Sequence, residues 1–220
     1  MSDARDRILG RLRRQRPQPA AQRAPAARES AAPASPAGER IARFVRLLEA
    51  VRAEVHRCRR DDWPELLWRF CGDKSIGRLA YGAGGPLATT LENGWRDRGE
   101  TVRLFSPRGP IEQWKDSLFS EADAAVTSAR WGIARTGTLV LWPDSHEPRT
   151  LSLVPPVHFV VLDVDDLYDD FATLIEAEGW RSGMPTNAVL ISGPSKTADI
   201  EQTLSYGIHG PVELIVLLTG

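Results

Sequence analysis

Apolar side chains recur at three- and four-residue steps through Ile41, Phe44, Val45, Leu48, Val51 and Val55. That spacing predicts a helix from Glu39 onward with one core-facing stripe. Asp62, followed by Pro64 in the first turn, opens a second helix that turns Leu66, Leu67 and Phe70 inward. Strands and helices then alternate. Strands are predicted at 78–81, 101–105, 124–127 and 158–163, with helices at 86–98 and 111–118. Residues 137–142 and 149–154 read as a β-hairpin around Pro143, Asp144, Ser145 and His146. A helix over 165–178 takes Asp165 or Asp166 as its N-cap and stops at Gly179. Near the front, residues 3–16 pattern as a short amphipathic helix on Ile8, Leu9 and Leu12. Residues 17–38, rich in Ala, Pro and Arg, read as a linker.

The end of the chain is the most distinctive part. Two β-branched runs, Val189 to Ile191 and Leu214 to Leu217, bracket a short segment read as helical, with Gly-Pro turns at 193–194 and 210–211. A strand–turn–helix–turn–strand unit argues for an open α/β sheet. Ligands of such sheets bind beyond the carboxyl ends of strands, which is where this pattern places the Gly193 loop. The expected organisation is a basic arm and linker over residues 1–38, followed by one α/β domain over 39–220.

Size and charge narrow the picture. A chain of 220 residues, 42% of them hydrophobic, has enough apolar content for a substantial core. The Arg-rich start lacks the apolar centre of a signal peptide, and no apolar run is long enough to cross a bilayer. Cys58 and Cys71 form no C-x-x-C pair and no metal spacing, so the expectation is a cytoplasmic chain with reduced thiols and no metal or cofactor of its own. Residues 1–60 hold 15 Arg and no Lys against 6 acidic residues, a balance of +9. Residues 61–220 hold 13 basic and 23 acidic residues, or −10, and the two sum to the overall −1. The arm can serve an acidic partner or simple solvation. Its lack of aromatics over residues 1–40 argues against nucleic acid.

Several loops carry candidate chemistry. Gly193, Pro194, Ser195, Lys196 and Thr197 follow a strand and, on this reading, open a helix, whose N-terminal amides and the Lys196 ammonium suit an anion. Asp199 and Glu201 would already satisfy such a helix start, so an ordinary Ser/Thr cap fits equally well. Residues 82–86 form a second glycine-rich junction, either a close-approach site for an anion or a tight turn. Thr136 and Thr138 flank Gly137, a position suited to positive φ, and Arg149 is a candidate carboxylate clamp. His209, with Asp199, is the candidate proton carrier. His158, at a strand start, is a weaker one.

Three segments carry a family resemblance: GIARTGTLVL, RTLSLVPPVHFVV and GPSKTADIEQTLSYGIHGP. In this order they resemble the lactate-utilisation protein C family, whose shared module is the LUD domain, most strongly over residues 122–220. The resemblance implies a three-layer open-sheet α/β fold similar to ribose-phosphate isomerases and CoA transferases. It also implies a role beside iron–sulfur partner proteins in the cytosolic oxidation of L-lactate to pyruvate, the clusters residing in those partners. Thr136 to Thr138, Gly193 to Thr197 with Asp199, and His209 to Pro211 match family motifs. Arg135 stands where the family commonly has an acidic residue, which removes a candidate base or nucleophile. The alternative is a stand-alone enzyme acting on a sugar phosphate, folate or CoA ester.

Overall fold

A computed structural model describes residues 35–180, 182–198, 204–206 and 210–220. The helix expected at 3–16, most of the expected linker, and both Asp199 and His209 lie outside these residues.

The first helix, α1 (Ala37–Glu49), buries Phe44 and Leu48. It ends before the apolar stripe does. Arg52 takes φ 70°, while Ala53 N–H reaches back to the Leu48 carbonyl (3.1 Å) and Arg52 N–H to that of Glu49 (3.0 Å). This paired closure ordinarily uses glycine, so an arginine in that place hid the stop. Val51 is therefore exposed, and Val55 belongs to a strand, β1 (Glu54–Cys58), that the helical stripe had concealed.

Next come α2 (Trp63–Asp73), β2 (Arg78–Tyr81), α3 (Ala88–Trp95), β3 (Arg103–Phe105), α4 (Lys115–Glu121) and β4 (Ala124–Ser128). A short 3-10 turn at Ile111–Gln113 precedes α4 in place of one continuous helix. The chain continues through β5 (Trp131–Ile133), β6 (Thr138–Leu141), α5 (Thr150–Leu153), β7 (Val157–Asp163), β8 (Leu167–Tyr168), α6 (Phe171–Ala177) and β9 (Val189–Ile191). The last strands are β10 (Lys196–Ala198), β11 (Leu204–Tyr206) and β12 (Glu213–Thr219).

Six parallel strands form the central sheet in the order β1-β12-β7-β4-β2-β3. Its middle strands are buried on both faces, which explains their near-continuous apolar runs. Along β12, Ile215 and Leu217 pack with α2 and α3, and Leu214, Val216 and Leu218 pack on the opposite side. On that opposite side lie α1 and a second, four-stranded sheet in the order β8-β5-β6-β9. The outer face of this second sheet carries Trp131, Val140, Leu174 and Trp180. The architecture is mixed α/β with a parallel central sheet. Among the described residues no helix is long and apolar enough to cross a membrane.

Three expectations change. The hairpin of 137–142 with 149–154 does not form: β6 pairs with β5 and β9, and residues 150–153 are helical. Asp144 Oδ1 accepts the N–H groups of His146 (2.7 Å) and Glu147 (2.9 Å), turning the chain away before it can return as a strand. The expected helix at 165–178 begins only at Phe171, where Asp170 accepts the Thr173 N–H (2.8 Å). Residues before it form a 3-10 turn and β8. Finally, the Gly193 loop leads into β10, the first arm of an antiparallel hairpin with β11, and not into a helix.

Candidate functional site

In chain order β2, β3, β4, β7 and β12 lie 2-1-3-4-5 across the sheet, so the order reverses between β2 and β4. That reversal marks the usual ligand crevice, beyond the carboxyl ends of the two strands. Here the protein fills it. Residues 146–147 lie so close to the glycine-rich loop that a Cβ at Gly82 would meet the His146 carbonyl oxygen at 2.5 Å. Glu147 accepts the Ser128 N–H and, at 3.0 Å, the Ser128 hydroxyl. Burial pushes its carboxyl up to about 7. The hollow beside it, with Arg149 on its rim, is only about 10 Å³, a single water's worth. The close approach anticipated for an anion at residues 82–86 is thus taken by the chain itself. Nothing in the sequence around Glu147 signalled this.

A larger cavity, about 230 Å³, opens near the amino ends of β7 and β12. Ser192, Gly193, Pro194 and Ser195 line one side, with Gly210 and Pro211 opposite and His158 and Ser152 behind. The Gly193 loop follows the carboxyl end of β9, as expected, but β9 belongs to the second sheet, so the loop overhangs the opposite end of the central one. Ser195 N–H donates to the Pro211 carbonyl (2.8 Å), clasping the two loops together. Gly193 has φ 146°, and an added Cβ would sit 2.8 Å from Val51 Cγ2. With no helix at 195, the dipole argument for an anion falls away. What remains is Lys196, exposed at the start of β10 and paired in register with Tyr206, and Thr197 beside it opposite Ser205.

The Thr-Gly-Thr motif joins this loop from behind. Gly137 adopts φ 60°, and a Cβ there would meet Leu47 Cβ at 2.7 Å, so the position requires glycine. The turn aligns three hydroxyls: Thr136 Oγ1 lies 2.7 Å from Thr138 Oγ1, which lies 2.7 Å from Ser192 Oγ. Pairing of β6 with β9 brings Thr138 and Ser192 opposite one another. The motif therefore supports the cavity wall through Ser192 and does not itself line the cavity.

Two arginines lie elsewhere. Arg135 is largely exposed, with Nη1 4.0 Å from Asp170 Oδ2, and takes no part in the cavity. Arg149 caps α5, its carbonyl accepting the Ser152 hydroxyl at 2.8 Å, and it faces the Glu147 hollow. His158, given little weight in the sequence, is in contrast fully buried at the cavity. Its Nε2 lies 2.8 Å from Thr127 Oγ1, and Nδ1 has no partner among the described residues. Burial pulls its pKa down to about 3, so the ring is neutral. The alternation along the run from 157 to 161, which sets it on the same face as Val160, is the signal that could have found it.

Comparison with known proteins matches this architecture. The model of the LUD domain family matches residues 41–219. An uncharacterised protein of Neisseria meningitidis, NMB1437, is 40% identical over 184 residues, covering 81% of this chain and 76% of its own. Lactate utilization protein C of Bacillus velezensis is 27% identical over 176 residues, 78% of this chain and 68% of that one. Other relatives of that name are matched over 42% to 52% of their length. The crystal structure of a DUF162 family protein from Deinococcus radiodurans superposes with a TM-score of 0.60 over 84% of this chain and 99% of that one, at 23% identity, and so shares its fold. With the family model spanning both sheets from α1 to β12, the chain belongs to the LUD domain family.

Proposed function

We propose that this chain is a component of a cytosolic L-lactate utilisation system that oxidises lactate to pyruvate alongside iron–sulfur partner proteins. In this reading the cavity of Ser192 to Ser195, His158 and Gly210 holds a small anionic ligand. The observation that carries it is the cavity itself: about 230 Å³, walled largely by aliphatic side chains into which three serines, a buried imidazole and a clasped glycine loop are set, with Lys196 following Ser195. That volume falls below the roughly 300–1,000 Å³ of sites for drug-sized ligands, which suits a three-carbon acid and not a folate or CoA ester. The relatives named for lactate utilisation supply the substrate class. The fold would be the open-sheet type of ribose-phosphate isomerases and CoA transferases.

The chain's own thiols do not fit a cluster. It has two cysteines, and burial drives the Cys71 thiol up to about 12 and raises that of Cys58. Cluster ligands would therefore come from the partners. Reconstitution tests the proposal: lactate-dependent dye reduction is measured with the expected partners, with and without this chain. A large loss of activity on omission is expected, and full activity without it refutes the subunit role. A stand-alone enzyme would instead turn over a sugar phosphate unaided.

A further inference from the structure

The hydrogen bond between Thr127 and His158 bears on which ring nitrogen carries the proton. A threonine hydroxyl has one proton to give, and among the described residues Thr127 Oγ1 has no acceptor other than His158 Nε2. With the hydroxyl donating to Nε2 and the ring proton on Nδ1, only Nδ1 is left unpaired, whereas the reverse tautomer strands the Thr127 proton as well, so the Nδ1–H form is favoured. Nδ1 is fully buried and has no partner among the described residues. His158 lines the cavity and its Nε2 partner Thr127 does not, which leaves Nδ1 as the ring nitrogen open to a partner. A buried donor without an acceptor is destabilising, and an oxygen held in the cavity would relieve it.

The rest of the wall decides what kind of oxygen. Around His158 stand Leu153, Ile191 and Leu214, with the hydroxyl of Ser152 already donating to the Arg149 carbonyl. Among the described residues no cationic side chain lines the cavity. A carboxylate pushed against His158 would meet no counter-charge among these residues, and burying it so is far costlier than burying a neutral carbonyl. The charged end of a ligand belongs instead where Ser195 leads to the exposed Lys196.

We propose that His158 donates its Nδ1–H to the uncharged carbonyl oxygen of a small 2-oxo acid, whose carboxylate stays at the Ser195–Lys196 end. The cavity then selects 2-oxo acids over acids of the same length lacking that oxygen. This rests on the cavity being the ligand site proposed above.

The test uses the full chain with ¹⁵N-labelled histidine, the His158 signals assigned by their loss in His158→Phe. Pyruvate and propionate, which differ in the 2-oxo oxygen, are titrated by calorimetry into both proteins. The wild-type ring should show the neutral Nδ1–H form from pH 5 to 8, its Nδ1 resonance moving with pyruvate and not with propionate. Pyruvate should bind at least tenfold more tightly than propionate, and His158→Phe should bring that ratio close to one while keeping propionate affinity. An Nε2–H form, a titration midpoint near 6.5, or equal wild-type affinities would overturn the role of His158 and leave the cavity as a ligand site. A wild type that binds neither acid overturns both readings. If His158→Phe does not fold, the wild-type spectrum and affinity ratio decide alone.

Discussion

Replacing Glu147 with glutamine should make the protein more stable at alkaline pH and change little in acid. The carboxyl is half-buried over the β2–β4 crevice with the Ser128 N–H and hydroxyl as its donors. Desolvation outweighs those bonds and raises its pKa from 4.5 to about 7. An acid so shifted binds its proton more tightly folded than unfolded. Its contribution is therefore complete below pH 4.5 and is lost as pH rises through 7. A shift of about 2.5 units at about 1.36 kcal/mol each gives about 3.4 kcal/mol. Roughly 2.5 kcal/mol of that falls between pH 5 and pH 8. Glutamine keeps the shape and the acceptor for Ser128 N–H but never ionises. Urea unfolding at pH 5 and pH 8 should show Glu147→Gln gaining on wild type by roughly 2 kcal/mol more at the higher pH. A difference that stays constant across this range would refute the buried, proton-binding carboxyl.

Gly137→Ala should destabilise the protein by about 1–3 kcal/mol in thermal unfolding, since φ 60° and the contact with Leu47 both oppose a Cβ. Leu214→Ala, at the cavity floor, should cost about 2–5 kcal/mol by removing buried methyl groups. Lys196→Ala should leave the melting temperature unchanged and weaken pyruvate and propionate alike, read by calorimetry. In the folded protein Cys71 should resist iodoacetamide at pH 8 while unfolded protein reacts, because its thiol is held near 12.

Most of the central sheet was legible, because strands buried on both faces write themselves as unbroken apolar runs. Those at 78–81, 124–128, 157–163 and 213–219 fall where that pattern placed them, within a residue or two. β1 was not, since an edge strand reading Glu-Val-His-Arg-Cys has little apolar content, and the helix before it ends on an arginine. Of the second sheet, β6 and β9 fell where the runs at 137–142 and 189–191 placed them, while β5, β8 and the pairing were missed for a tertiary reason. β5 and β8 are two or three residues long and exist through pairing partners distant in sequence. In the candidate site, the turn at Gly137 and the glycine loop at 193 were visible from residue type alone. Glu147 matters through burial that distant neighbours impose and local sequence does not encode, and His158 through a strand alternation that gives its face but not its cavity.

The placement of the cavity constrains how it would recognise the anion proposed for it. Helices feeding a parallel sheet end near the amino ends of its strands, as α2 does at Asp73 just before β2 begins at Arg78. The negative ends of helix dipoles therefore gather at that side, the reverse of the usual phosphate-binding arrangement. The other side, where helix N-termini would favour negative charge, is occupied by the protein's own Glu147 and the turn that carries it. A site at the amino ends has to work with neutral donors in its depth and leave formal charge to solvent and a mobile ammonium at its edge. The inventory found there is of that kind: serine hydroxyls, a neutral imidazole, and Lys196 outside. Selectivity in such a site comes from matching one uncharged oxygen to one fixed donor. Salt should then weaken all acids to a similar degree and leave the preference between them intact.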